Sequence, residues 1–74
     1  MRSREKSVVE EAFLSVRAYL VYPQELRRTI EEISLKSKNI DAFVTEFKRA
    51  VSAQEDPSRR TDGQIFLNEL RRRL

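Results

Sequence analysis

Five arginines are the side chains best suited to meet a ligand. Arg71, Arg72 and Arg73 run together near the C-terminus, and Arg59 and Arg60 stand upstream of them. Guanidinium groups pair with phosphate and carboxylate, and basic clusters hold nucleic acid by neutralising its backbone. Residues 57–74 carry these five arginines against Asp62 and Glu69, which equals the whole formal charge of +3; residues 1–56 carry ten basic and ten acidic side chains. Nucleic-acid binding, to DNA or RNA, through Arg59, Arg60 and Arg71–Arg73 is therefore one expectation. A solvated helix end is the competing one. Consecutive helical residues point about 100° apart, so Arg71 and Arg73 flank an apolar stripe while Arg72 points away. Cations in a last turn also complement the helix dipole.

Other chemistry is thinly represented. The chain has no cysteine, histidine or tryptophan. That removes zinc-finger ligands, thiol redox centres, disulfides and the Ser-His or Cys-His pairs of nucleophilic catalysis. Glu10/Glu11 and Glu31/Glu32 are adjacent pairs that diverge on a helix, so neither forms an acid–base dyad. The single glycine, Gly63, excludes a glycine-rich phosphate loop. A helix-turn-helix reader over residues 29–51 is a poor match. No turn glycine lies between Leu35 and Ile40, and Asp41, Thr45 and Glu46 crowd the start of the would-be reading helix. Tyr19 and Tyr22 read as core-edge aromatics rather than stacking platforms. The expectation is a protein that is not an enzyme and needs no cofactor or metal.

These side chains must be carried by helices. Ser7-Val-Val-Glu10 has the capping-box pattern and predicts a helix from about Ser7 to Tyr22, after a flexible basic tail over residues 1–6. Pro23 suits the first position of a second helix, running to about Lys36 with Glu25 in its first turn. Leu26, Ile30 and Ile33 give it one narrow apolar face, although residues 29–36 also alternate well enough for a short strand. Two i,i+4 pairs, Arg27–Glu31 and Arg28–Glu32, are expected on its solvated side. Asn39 is a good N-cap for a third helix, in which Ile40, Phe43, Val44, Phe47, Ala50 and Val51 fall within about 120° of one another. Glu55-Asp-Pro57 ends it and Ser58–Arg60 reads as a loop. Thr61-Asp-Gly-Gln64 is a second capping box, opening a last helix with Phe66, Leu67, Leu70 and Leu74 on one side.

The fold class is thus all-α: a compact bundle of three to four short helices forming one domain over residues 1–74. Its expected core is Val16, Leu20, Ile30, Ile33, Phe43, Phe47, Val51, Phe66 and Leu70. No stretch approaches the roughly 20 apolar residues of a membrane span, and the N-terminus lacks an uninterrupted apolar run. A cytoplasmic protein is the default.

The first helix is apolar nearly all round. Val8, Val9, Ala12, Phe13, Val16, Tyr19 and Leu20 make its main face, and Leu14, Ala18 and Val21 lie opposite. Two accounts fit: the helix is the central post of the bundle, or its second face meets another chain. The second account makes the protein a small regulator or adaptor, a homodimer or the partner of another protein. Leu14, Val21, Leu67 and Leu74 are then the contact residues, with Leu14 and Val21 one heptad apart in a seam.

Overall fold

Glu5, rather than Glu10, starts the first helix. In a computed structural model covering residues 1–74, the chain forms α1 (Ser3–Val16), a 3₁₀ turn (Arg17–Tyr19), α2 (Pro23–Lys36), α3 (Ile40–Ala53) and α4 (Pro57–Arg73). The Glu5 carboxylate accepts from the Arg2 backbone N–H at 3.1 Å and from that of Ile40 at 3.2 Å. One side chain thereby satisfies an orphan donor at the start of α1 and another at the start of α3. The Met1 amino group donates to the Ser37 carbonyl at 3.2 Å, and the Met1 side chain packs on the core. Residues 3–6, expected as tail, are the first turn of α1.

The other end of α1 also departs from expectation. A helix continued through Tyr22 would send the Val21 and Tyr22 N–H groups to the Arg17 and Ala18 carbonyls. Asp62 takes both instead, Oδ1 from Val21 at 2.9 Å and Oδ2 from Tyr22 at 2.7 Å. The helix tightens into the 3₁₀ turn, and Leu20 is already extended, at φ −91° and ψ 144°.

α2 follows the sequence expectation, with Pro23 in its first turn and its C-terminus closed by the Ser37 hydroxyl donating to the Ile33 carbonyl at 2.6 Å. Residues 29–36 are helix, which disposes of the strand alternative. The Asn39 side chain caps α3, accepting from the Ala42 N–H at 2.9 Å. α4 begins four residues before the expected Thr61 cap. Asp56 is its N-cap, accepting from the Arg59 N–H at 3.2 Å, and Pro57 follows where its fixed φ suits a first turn. Ser58–Arg60 are therefore helical, and Thr61 only donates back to the Pro57 carbonyl at 2.9 Å.

The core is Val9, Ala12, Phe13, Val16, Leu26, Ile30, Phe43, Phe47, Phe66, Leu67 and Leu70. Phe43, Phe47 and Phe66 form its centre, with Phe47 and Phe66 edge to face at 5.0 Å between ring centroids. Leu20, Ile33 and Val51, expected inside, are only partly buried against this cluster. α1 packs along α4, and α4 also meets α2 and α3. The central-post account of α1 fails, because Glu10, Glu11, Leu14, Ser15, Arg17 and Ala18 are all exposed. No helix is long and apolar enough to cross a membrane.

Candidate interaction site around Tyr22

The buried Asp62 carboxylate organises the connection between α1 and α2. It is 2 % exposed, and both its oxygens are taken by backbone donors of that connection. Hydrogen bonds to an ionised acceptor are the stronger kind. The carboxylate also faces the N-terminus of α2, where the helix dipole favours negative charge. An irregular segment with few neighbours of its own is thus held from α4.

That segment, with the end of α1 just before it, carries most of the exposed large hydrophobic residues. Six large hydrophobic residues are exposed, and four of them fall within residues 14–22: Leu14 at 51 %, Tyr19 at 74 %, Val21 at 60 % and Tyr22 at 38 %. Tyr22 is also the rim of a cleft of ≈ 250 Å³ between α2, α3 and α4. Leu26, Phe47, Ala50 and Val51 supply its apolar lining, and Glu25, Thr29, Gln54 and Arg59 supply polar groups. The Arg59 guanidinium lies 4.8 Å from the centroid of the Tyr22 ring and pairs with Glu25. Gly63 lines the same cleft, and a Cβ there would stand 2.7 Å from Val51 Cγ2. α3 and α4 approach this closely only because residue 63 has no side chain.

The four contact residues expected from the sequence do not form one surface. Leu67 is 3 % exposed and belongs to the core, because α4 turns a broad face inward that includes Gly63, Phe66, Leu67 and Leu70. Leu14 and Val21 are both exposed, but the break at Arg17–Tyr19 removes the heptad relation that put them in one seam. Leu74, 61 % exposed, lies about 18 Å along α4 from Asp62 and so far from Val21.

The arginines are dispersed as well. Arg60 lies about 16 Å along α4 from Arg71. Arg59 is held by Glu25 and Asp56, and Arg60 donates to the Gln54 and Glu55 carbonyls at the end of α3. Arg72 pairs with Glu69 at 3.0 Å, and Arg73 with Glu69 at 2.9 Å and Glu11 at 3.5 Å. Arg71 alone of the five has neither a carboxylate nor a carbonyl partner. Arg27 reaches Glu10 on α1 at 3.2 Å and lies over the Phe13 ring, so the expected Arg27–Glu31 and Arg28–Glu32 pairs do not form. The adjacent pair Glu10/Glu11 is pulled to different partners and makes no dyad.

A second basic group arises from the fold. The Met1–Ser37 hydrogen bond brings the start of α1 to the α2–α3 turn, which carries Lys38 and follows Lys36 at the end of α2. Arg2, Lys36 and Lys38 are exposed, and none pairs with a carboxylate. Glu5 is occupied by the Arg2 and Ile40 N–H groups, which hold its pKa below the usual glutamate value, and Glu32 and Asp41 are exposed beside the two lysines. The sequence shows these cations only as separate stretches, Arg2 lying 34 residues before Lys36. No cluster of His, Cys, Asp or Glu has the makings of a metal site. No family model, curated protein or solved structure matches the chain.

Proposed function

We propose that this protein is a non-enzymatic interaction module, a small regulator or adaptor that first binds a second copy of itself. The carrying observation is that Tyr19, Val21 and Tyr22 are all exposed on a connection held by Asp62, with exposed Leu14 near the end of α1 just before it. Single exposed apolar residues are ordinary on a monomer, whereas a contiguous group marks a contact surface. Pre-organising that surface lowers the entropy lost when it docks. A second copy is the occupant this reading names, since a chain of 74 residues buries a smaller share of its surface than a larger domain does.

The test is the molar mass in solution across a concentration series, for the wild type and for Val21→Glu and Leu14→Glu. The expected mass rises from 8.8 kDa toward twice that value, and the variants stay at 8.8 kDa. A wild type fixed at 8.8 kDa throughout, with no binding of a hydrophobic dye, overturns the reading.

Nucleic-acid binding is the second reading, and it shifts from the paired arginines of α4 to Arg2, Lys36 and Lys38. These unpaired cations would meet phosphate without breaking an internal contact. No aromatic residue lies in residues 1–6 or 36–41, so binding would be led by the backbone rather than by base stacking. A salt titration of binding to labelled duplex DNA and RNA checks it. Loss of affinity in Lys36→Ala/Lys38→Ala, with Arg71/Arg72/Arg73→Ala unchanged, is the expected pattern; no binding at low salt removes it.

A further inference from the structure

Three of the helices pack in chain order and the first does not. α2 meets α3, α3 meets α4, and α4 closes back on α2, so residues 23–73 form a three-helix body of sequence neighbours. α1 is joined to α2 but leans chiefly on α4, the last helix. Its Val9, Ala12, Phe13 and Val16 complete the core. Two ion pairs also tie it to the body, Glu10 with Arg27 at 3.2 Å and Glu11 with Arg73 at 3.5 Å. α1 is thus an arm folded over a body.

The joint between arm and body is sharply placed. Asp62, on α4, accepts from the Val21 and Tyr22 N–H groups, so the body takes hold of the chain at Val21. Only Arg17–Leu20 stand between that point and the end of α1, as the 3₁₀ turn and one extended residue. A 3₁₀ stretch has poorer hydrogen-bond geometry than an α-helix and often marks a hinge. Arg, Ala and Leu are among the best helix formers, so Arg17, Ala18 and Leu20 favour the α-helix that this joint denies them. Opening the joint lets α1 run on for another turn.

We propose that two copies of the chain associate by exchanging α1: the hinge Arg17–Leu20 opens, and each α1 takes its place on the body of the other copy. The proposal rests on the self-association reading and names the segment that carries it. The fit of that segment to its acceptor surface is the α1–α4 packing of this structure, with only the donating chain changed. Both ion pairs are remade between chains. Exchange of an identical element is a low-cost route to a dimer, and a short, strained hinge favours it. The new contact lies at the joint. Asp62 keeps Val21 and Tyr22 on each body, and the two opened hinges run side by side about the two-fold axis. Four of the six exposed large hydrophobic residues, Leu14, Tyr19, Val21 and Tyr22, stand within this joint or up to three residues from it, where the second hinge covers them.

Cross-linking separates exchange from side-by-side association. The chain has no cysteine, so Glu11→Cys/Arg73→Cys and Glu10→Cys/Arg27→Cys each carry one thiol on the arm and one on the body. Each double variant is resolved by size into a form of 8.8 kDa and a form of twice that mass. Both forms are treated with a short bis-maleimide and run on a denaturing gel. Links within one chain are expected from the smaller form, and links between two chains from the larger. A larger form linked only within chains overturns the exchange and leaves the self-association reading standing. A wild type that stays at 8.8 kDa at every concentration removes the reading and the exchange together. A hinge variant gives a second readout without touching either ion pair, and it decides the question where a cysteine pair itself prevents assembly. Gly-Ser-Gly inserted between Tyr19 and Leu20 gives the arm slack to fold back on its own body. With a native circular-dichroism spectrum retained, it is expected to weaken self-association by about tenfold or more. Self-association equal to that of the wild type overturns the hinge.

Discussion

Removing the Asp62 carboxylate should unfasten the α1–α2 connection and cost a large part of the domain's stability. The carboxylate accepts from Val21 N–H at 2.9 Å and Tyr22 N–H at 2.7 Å and is 2 % exposed. Hydrogen bonds to a charged group contribute about 1.5–3 kcal/mol each. Val21 and Tyr22 lie near solvent, so water recovers part of the loss, and about 3 kcal/mol is expected for Asp62→Ala. Asn in the same place keeps one acceptor and turns an N–H₂ toward the second donor, for a loss of about 2 kcal/mol. Domains hold about 0.05–0.15 kcal/mol per residue, roughly 4–11 kcal/mol for a chain of this length, so either change is a substantial fraction. Urea denaturation followed by circular dichroism reads it directly. With a slope of about 1 kcal/mol/M, the Asp62→Ala midpoint falls by about 3 M. Amide exchange locates the damage: Val21 and Tyr22 should lose protection in both variants, and far more than Phe43. A midpoint shift of less than about 0.5 M in Asp62→Ala refutes the claim that this carboxylate holds the connection.

Gly63→Ala sets a helix-propensity gain of about 1 kcal/mol against a Cβ placed 2.7 Å from a methyl of the stiff Val51. Crowding a packed site costs about 1–3 kcal/mol, so the single change is expected to destabilise, and to become stabilising by up to about 1 kcal/mol when Val51→Ala is already present. A cycle with no coupling between the two sites counts against the close approach of α3 and α4. Leu67→Ala should cost about 2–5 kcal/mol and Leu14→Ala within about 0.5 kcal/mol in the monomer, checked by the same denaturation; the opposite order would return Leu67 to the surface. The depressed pKa of Glu5 means its contribution is present above the ordinary value of 4.5 and is lost as pH falls through the lower folded value. The melting-temperature advantage of wild type over Glu5→Gln should therefore be constant near neutral pH and shrink on acidification below 4.5, and an advantage that persists in strong acid contradicts the assignment.

Local signals carried α2 and α3 from sequence to structure. Pro23 and Asn39 act within one turn of themselves, and the Phe43–Phe47 spacing already faces a core. Where the two departed, the cause lay elsewhere in the chain or in a contest between two local signals. The end of α1 is set by Asp62, whose partners are 40 and 41 residues away. At α4, Asp56-Pro57 can stop one helix or cap and start the next, and the tertiary structure uses the second option. That places Thr61 and Gln64 inside a helix that their pattern suggested they would open. Leu67 seemed available because α4 carries more apolar residues than one narrow stripe needs, and only the positions of α1 and α3 show that its inner face is wide. The cleft has no signature in any single segment, since Tyr22, Leu26, Phe47 and Val51 come from separate elements. Charge was legible as a total but not as a pattern, because pairing across helices decides which arginines stay free.

The packing of α1 along α4 also fixes an order of events during synthesis. Val9, Phe13 and Val16 leave the ribosome early, while Phe66 and Leu70 arrive last. A solitary helix of 14 residues is marginal in water, so α1 has no stable place until α4 is made. The two hydrogen bonds that Asp62 accepts from the α1–α2 connection are equally late. Folding of this small chain must therefore close a loop of most of its own length, which slows it relative to bundles built from neighbouring hairpins. Until then the nascent chain keeps apolar side chains in solution, and a truncation before Asp62 would leave them there.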